Sequence, residues 1–138
     1  MRTQVTFDCA DPHTQAAFWA QVFGSQVEDH SALVDQLVAE GRMPAEDRIV
    51  VDGRSAFRDV AACHDPAGVE PRLFFQRVPE GKIAKNRVHL DIHVDADAKT
   101  AEVERLVGLG AQLMETHSDR GPITYVMRDR EGNEFCLH

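Results

Sequence analysis

The sequence predicts an α+β protein built from two copies of one strand-helix-strand-strand-strand plan. Three observations carry that expectation. At Gln4–Cys9 and again at Val88–Val94 the residues alternate: Val5, Phe7 and Cys9 against Gln4, Thr6 and Asp8, then Leu90, Ile92 and Val94 against His89, Asp91 and His93. In both places a helix-length segment follows and stops at a glycine, with Gly24-Ser25-Gln26-Val27 matching Gly110-Ala111-Gln112-Leu113. The interval from Gln4 to Gly24 is 20 residues and that from His89 to Gly110 is 21. Finally, Asp65-Pro66-Ala67-Gly68 and Asp129-Arg130-Glu131-Gly132 share an Asp-x-x-Gly turn. A period this long, present twice, excludes a solenoid.

The elements can be justified in order. After the first strand, Asp11-Pro12 is a helix start: the carboxylate caps free backbone N–H groups, and proline at the first helical position loses no hydrogen bond. The helix runs to Phe23, with Phe18, Trp19, Val22 and Phe23 forming its core face. Residues 29–48 predict a second, short helix on Leu33, Leu37 and Val38, ended by Gly41 and not continued past Pro44. Ile49–Val51 and Ala56–Cys63, joined at Asp52-Gly53, read as a hairpin, and Arg72–Val78 as the strand after it.

In the second copy, Asp95 or Asp97 is expected to cap a helix with a stripe of Val103, Leu106 and Val107. Strands are expected near Gln112–Thr116, Ile123–Arg128 and Glu134–His138. Between helix end and turn the first copy is 22 residues longer, the size of the 29–48 segment.

With 138 residues, 43% hydrophobic and 28% charged, the chain can bury one core and has no signature of disorder. No leader-like start and no long apolar window is present, so a cytoplasmic protein without a membrane partner is expected. Cys9, Cys63 and Cys136, odd in number and far apart, fit reduced thiols rather than a disulfide framework or a zinc pair. The net charge of -8 speaks against nucleic acid as a partner. That charge is uneven: residues 28–48 carry a net -4 and residues 72–87 a net +4. Two readings stay open, solvated surfaces or a basic rim that attracts a small anion.

The paired units and their Asp-x-x-Gly turns resemble the vicinal oxygen chelate superfamily of glyoxalases, bleomycin and fosfomycin resistance proteins and extradiol dioxygenases. More narrowly, Pro71-Arg72-Leu73-Phe74-Phe75-Gln76-Arg77-Val78-Pro79-Glu80, Lys82, Lys85-Asn86-Arg87-Val88-His89-Leu90-Asp91 and Gly132-Asn133-Glu134-Phe135-Cys136 resemble the glyoxalase-like domain common in actinobacteria. The resemblance implies one domain over residues 1–138, with unit one about 1–80 and unit two about 86–138. It further implies a curled eight-stranded mixed sheet around a cleft, with the helices outside, and a homodimer.

The same resemblance implies a divalent metal held by one residue from the first and one from the last strand of each unit. By position these are Gln4 and His89, then Phe74 and Cys136 where glutamates are usual. Phenylalanine cannot ligate, so the expectation is a degenerate metal site and no cofactor, with Gln4, His89 and Cys136 as the ligand set if a metal is bound. Strand alternation places Gln4, Asp8, Phe74, Gln76, His89, Asp91 and Cys136 as candidate contacts to a small-molecule ligand. His89 beside Asp91 is the best catalytic candidate, as a general base with an orienting acid. Asp91 and His93 can alternatively pair with Thr6 and Asp8, and His138 can fray as the final residue. Lys82, Lys85, Asn86 and Arg87 either brace the connection between the units or hold an anion at the cleft mouth. The expected function is therefore small-molecule binding, with a metal-dependent lyase or isomerase of the glyoxalase or dioxygenase type as the alternative.

Overall fold

The computed structural model describes residues 3–119 and 121–138. The chain divides into two units, residues 1–80 and 81–138. In the first, strand β1 (Gln4–Cys9) leads into helix α1 (Pro12–Phe23) and then strand β2 (Gln26–Val27). Helix α2 (Ser31–Ala39), a 3-10 turn (Ala45–Asp47) and strands β3 (Arg48–Val51) and β4 (Arg54–Phe57) follow. Strands β5 (Val60–His64) and β6 (Arg72–Arg77) complete the unit. The second unit holds β7 (Leu90–Ile92), α3 (Lys99–Leu109), β8 (Gln112–His117), β9 (Thr124–Arg128) and β10 (Glu134–Leu137).

The expected α+β duplication is present. The first sheet has the order β1-β6-β5-β2 and the second β7-β10-β9-β8, the same arrangement strand for strand. In each, the first strand lies parallel to the last, and the remaining neighbours are antiparallel. β3 and β4 form a separate two-stranded sheet, so ten strands stand among the described residues where eight were expected.

Helix α1 begins as the sequence dictates. Asp11 accepts hydrogen bonds from the N–H groups of His13 and Thr14 at 3.2 and 3.1 Å and from the Thr14 hydroxyl at 2.7 Å. Gly24 ends the helix at φ 61°, a left-handed conformation that glycine adopts without steric cost. Its buried face sets Trp19 against Phe7 at 5.4 Å between ring centroids, and Phe7 in turn stacks on Phe75 at 5.3 Å. The core of the second unit is smaller and built on Val103, Leu106, Met127, Phe135 and Leu137.

Several local expectations are corrected. The first of the three strands after α1 is Gln26–Val27, not Ile49–Val51, as the repeat of Gly-x-Gln beyond each helix foreshadows. The extra segment is longer than 29–48, because it includes the β3–β4 hairpin as well as α2. The expected strand Ala56–Cys63 is two strands in two sheets, separated at Arg58 and Asp59. Helix α2 buries Val34, while Leu33 is exposed. In the second unit, Ala98 is the N-cap of α3 without a side-chain bond, so neither Asp95 nor Asp97 caps it. The reason is local: the Asp95 carbonyl already accepts the Ala98 N–H at 2.9 Å in a turn that delays the helix. Val107 is exposed, and the strand expected over 88–94 is regular only at Leu90–Ile92.

The two Asp-x-x-Gly turns are held alike. Asp65 accepts from the N–H groups of Ala67, Val69 and Glu70. Asp129 is buried and accepts from the N–H groups of Glu131 and Asn133 and from the Asn133 amide at 2.8 to 2.9 Å. Asp129→Ala is expected to lose on the order of 3 kcal/mol by stranding these donors. Asp11→Ala is expected to lose about 1 kcal/mol as a lost helix cap. Asp95→Ala and Asp97→Ala are expected to stay within about 0.5 kcal/mol. Denaturant unfolding midpoints check all four, and a loss at Asp97 equal to that at Asp11 would contradict the capping account.

Candidate functional site

The parallel pairing of β7 and β10 sets the geometry of the second unit. Asp91 lies opposite Cys136 in the register. Because side chains alternate along a strand, His89 and Asp91 on β7 and its approach share a face with Glu134 and Cys136 on β10. His89 Nε2 stands 3.1 Å from Asp91 Oδ1. The ligating atoms of His89, Asp91 and Cys136 all lie within 4.8 Å of one another. Asp91 also faces His138, whose Nε2 is 3.6 Å from the same carboxylate oxygen. His138 does not fray: it stacks on His93 at 5.1 Å and bonds Thr124 Oγ1 at 3.2 Å through Nδ1.

A cleft of about 870 Å³ opens over this face, lined by His89 and Cys136, by Lys82, Lys85 and Arg128, and by Met114 and Val126 among others. Its floor is anchored by Glu134, which is buried and meets Lys82 Nζ at 2.9 Å and Arg128 Nη2 at 3.4 Å. The Asn86 N–H donates to the same carboxylate at 3.0 Å. Burial works to raise the Glu134 pKa, but the bonds from Asn86 and Lys82 outweigh it and hold the carboxyl at about 2. Arg87 donates to the Lys85 carbonyl. Three of the four residues of the 82–87 cluster thus brace the connection. Lys85 is different: its ammonium has no carboxylate at ion-pair distance among the described residues, and it lines the cleft.

Burial pushes the Cys136 thiol up, as does the charge of Asp91, against the opposing pull of Lys85. A thiol raised in this way stays protonated at neutral pH and is a poor nucleophile. All three cysteines are free, with Cys9 and Cys63 buried.

In the first unit the corresponding positions hold different chemistry. Thr6 pairs with Phe74 as Asp91 pairs with Cys136, and Gln4 lies two residues before Thr6 as His89 lies two before Asp91. The register therefore supports the equivalence of Phe74 with Cys136. Arg72 fills this region. Its Nη1 donates to Gln4 Oε1, its Nε and Nη2 donate to Glu28 at 2.6 and 2.7 Å, and its guanidinium lies 5.4 Å from the Phe74 ring centre. The hydrogen bonds from Arg72 hold Glu28 below the ordinary carboxylate range despite its burial. Asp8 accepts from the Gln76 amide at 2.8 Å. Asp8 and Asp91 thus each find a partner inside their own unit, Gln76 for the one and His89 for the other.

Glu28 lies outside the expected site residues. Its signal is the charge pattern, since it begins the acidic stretch and Arg72 begins the basic one. Arg54 and Asp29 form a second ion pair in the same unit, at 2.7 Å.

With this geometry in place, the sequence profile of the glyoxalase-like domain matches residues 4–138. The chain belongs to the glyoxalase-like domain family. Among solved structures, it is similar to a glyoxalase/bleomycin resistance protein/dioxygenase family enzyme from Burkholderia phytofirmans PsJN at 16% identity. That match has a TM-score of 0.63 and covers 97% of this chain and 94% of the other. A fosfomycin resistance protein, FosX, from Listeria monocytogenes, crystallised in mutant form with Mn(II) and 1S,2S-dihydroxypropylphosphonic acid, is similar at 12% identity. Its TM-score is 0.62, with coverage of 100% of this chain and 88% of that one. TioX from Micromonospora sp. ML1 shares 17% identity at a TM-score of 0.54, covering 99% and 96%. At these identities the likeness is one of fold. No curated protein matches the chain in sequence. Among the described residues no helix is long and apolar enough to cross a membrane.

The depressed Glu134 pKa has a consequence for stability. Its folded-state value of about 2 lies below the ordinary 4.5, so its contribution is fully present above pH 4.5 and is lost as pH falls toward 2. Unfolding free energy measured across that window is expected to fall with acid in the native protein and to fall less in Glu134→Gln. Equal slopes for the two proteins would contradict the assignment.

Proposed function

We propose that this glyoxalase-like protein binds a small molecule in the cleft of its second unit, over His89, Asp91 and Cys136, without the four-ligand metal set of its superfamily. The observation that carries the reading is the contrast between the two strand pairs. Phe74 stands where a ligating carboxylate is usual, and the Gln4 amide oxygen is taken by Arg72, leaving only the second pair with donors directed at a common point. His89, Lys85 and Cys136 supply polar contacts, and Met114 and Val126 an apolar wall, a mixture suited to an amphipathic or anionic metabolite. Asp8, Phe74 and Gln76 are proposed separately, as ligand contacts within the first unit. A cytoplasmic homodimer belongs to this reading, with β8 as an edge strand that exposes Leu113 and Met114.

One observation favours a second reading, a metal-dependent lyase or isomerase of the glyoxalase or dioxygenase type. Asp91 supplies a carboxylate beside His89, and with Cys136 the three make a nitrogen, oxygen and sulfur donor set that suits a borderline divalent ion such as zinc. When bound, such an ion would polarise a substrate oxygen. The neighbouring His138 would then orient Asp91 from behind.

Elemental analysis of protein purified without an affinity tag or chelator, repeated on His89→Ala, separates the readings. The proposal predicts metal far below one equivalent in both, even after incubation with zinc, nickel, manganese or iron. It also predicts that a small-molecule thermal-shift screen finds ligands whose stabilisation His89→Ala abolishes. Stoichiometric metal that disappears in His89→Ala would overturn the metal-free proposal in favour of the second reading.

A further inference from the structure

Farther along the same unit a second cavity, of about 750 Å³, is lined by His93, Lys99, His117, Thr124 and His138, with Asp119 on its wall. Lys99 is the unusual member. It is the first residue of α3 and only 9% exposed, yet its ammonium has one hydrogen bond, to the Ile123 carbonyl at 3.0 Å. Two of its three N–H donors have no protein acceptor among the described residues, and no carboxylate there lies at ion-pair distance from it. A buried cation that spends its charge on one neutral carbonyl is costly unless a counter-charge completes it. A lysine at the first position of a helix is doubly out of place, because the exposed N–H groups of the first turn favour negative charge there. No side chain of the N-cap residue closes that turn.

Among the other lining groups Thr124, His93 and His138 suit the same occupant, while the Asp119 carboxylate opposes it. The Thr124 hydroxyl is bonded to His138 Nδ1, and the His93 and His138 rings stack on each other in the cavity wall. His117 lines both this cavity and the larger cleft. Asp91 approaches His138 at 3.6 Å on the ring's other nitrogen, Nε2.

We infer that this cavity is an oxyanion site, in which Lys99 and the Thr124 and histidine groups hold a carboxylate, phosphate or phosphonate. The site stands independently of what occupies the cleft at His89, and no metal takes part in it.

Inorganic phosphate and acetate are the probes, titrated against native protein, Lys99→Gln, Lys99→Met and His89→Ala, with amide NMR shifts as the readout. Saturable shifts centred on Lys99, Thr124 and His138 are expected in the native protein and in His89→Ala, and binding weakened roughly tenfold or more in Lys99→Gln. Saturation by acetate assigns a carboxylate-sized site, and saturation by phosphate alone a doubly charged one. In phosphate-free buffer Lys99→Met is expected to be at least as stable as the native protein, because it removes an uncompensated buried charge. Absence of saturable shifts, binding retained in Lys99→Gln, or a Lys99→Met protein that fails to fold would each overturn the inference, the last by making the lysine a structural element.

Discussion

In each half of this protein the first and last strands of the repeat lie side by side and parallel, and most of the structure follows from that contact. The helix after the first strand, α1 or α3, carries the chain to the far edge of the sheet, and the antiparallel strands bring it back to lie parallel beside the first. The last strand is thereby buried between two neighbours, which is why Phe75 and Phe135 are wholly enclosed. Its other face meets the polar face of the first strand, and residues far apart in sequence, Asp91 and Cys136 or Thr6 and Phe74, come to stand opposite each other. The Asp-x-x-Gly turns fix the start of that last strand and so fix the register.

One frame thus carries two chemistries. In the first unit the polar face carries a charge network of its own, with Arg72 shared between Glu28 and Gln4 and lying over the Phe74 ring. In the second unit Lys82 and Arg128 are spent on Glu134, but Lys85, His89 and Cys136 line open space.

The repeat, the α1 cap and both Asp-x-x-Gly turns were legible in the sequence, because each depends on residues within a few positions of one another. Asp11 followed by Pro12 states a helix start without reference to anything distant. That His89 and Cys136 belong to one site was implied by the family resemblance and Asp91 by alternation, and the parallel register brings the three together. What escaped was whatever long-range contacts decide. Gln26–Val27 is too short to show a period, and only its pairing with β5 makes it a strand. Asp95 and Asp97 looked equivalent to Asp11 until a turn moved the helix start past them. Glu28 acquires its role solely from Arg72, 44 positions away. Lys99 reads as an ordinary surface lysine, and its burial and its bond to the Ile123 carbonyl, 24 positions away, have no local signal.

The claim that the β7–β10 pairing gathers the site is tested most directly by the reactivity of Cys136. With native protein and Asp91→Asn at neutral pH, iodoacetamide labelling of each cysteine can be followed by mass spectrometry. Cys136 alone is expected to react, because Cys9 and Cys63 are buried, and it is expected to react faster in Asp91→Asn once the opposing carboxylate charge is gone. Unchanged labelling of Cys136 in that variant, in a protein that remains folded, would mean that Asp91 and Cys136 do not face each other and would contradict the account.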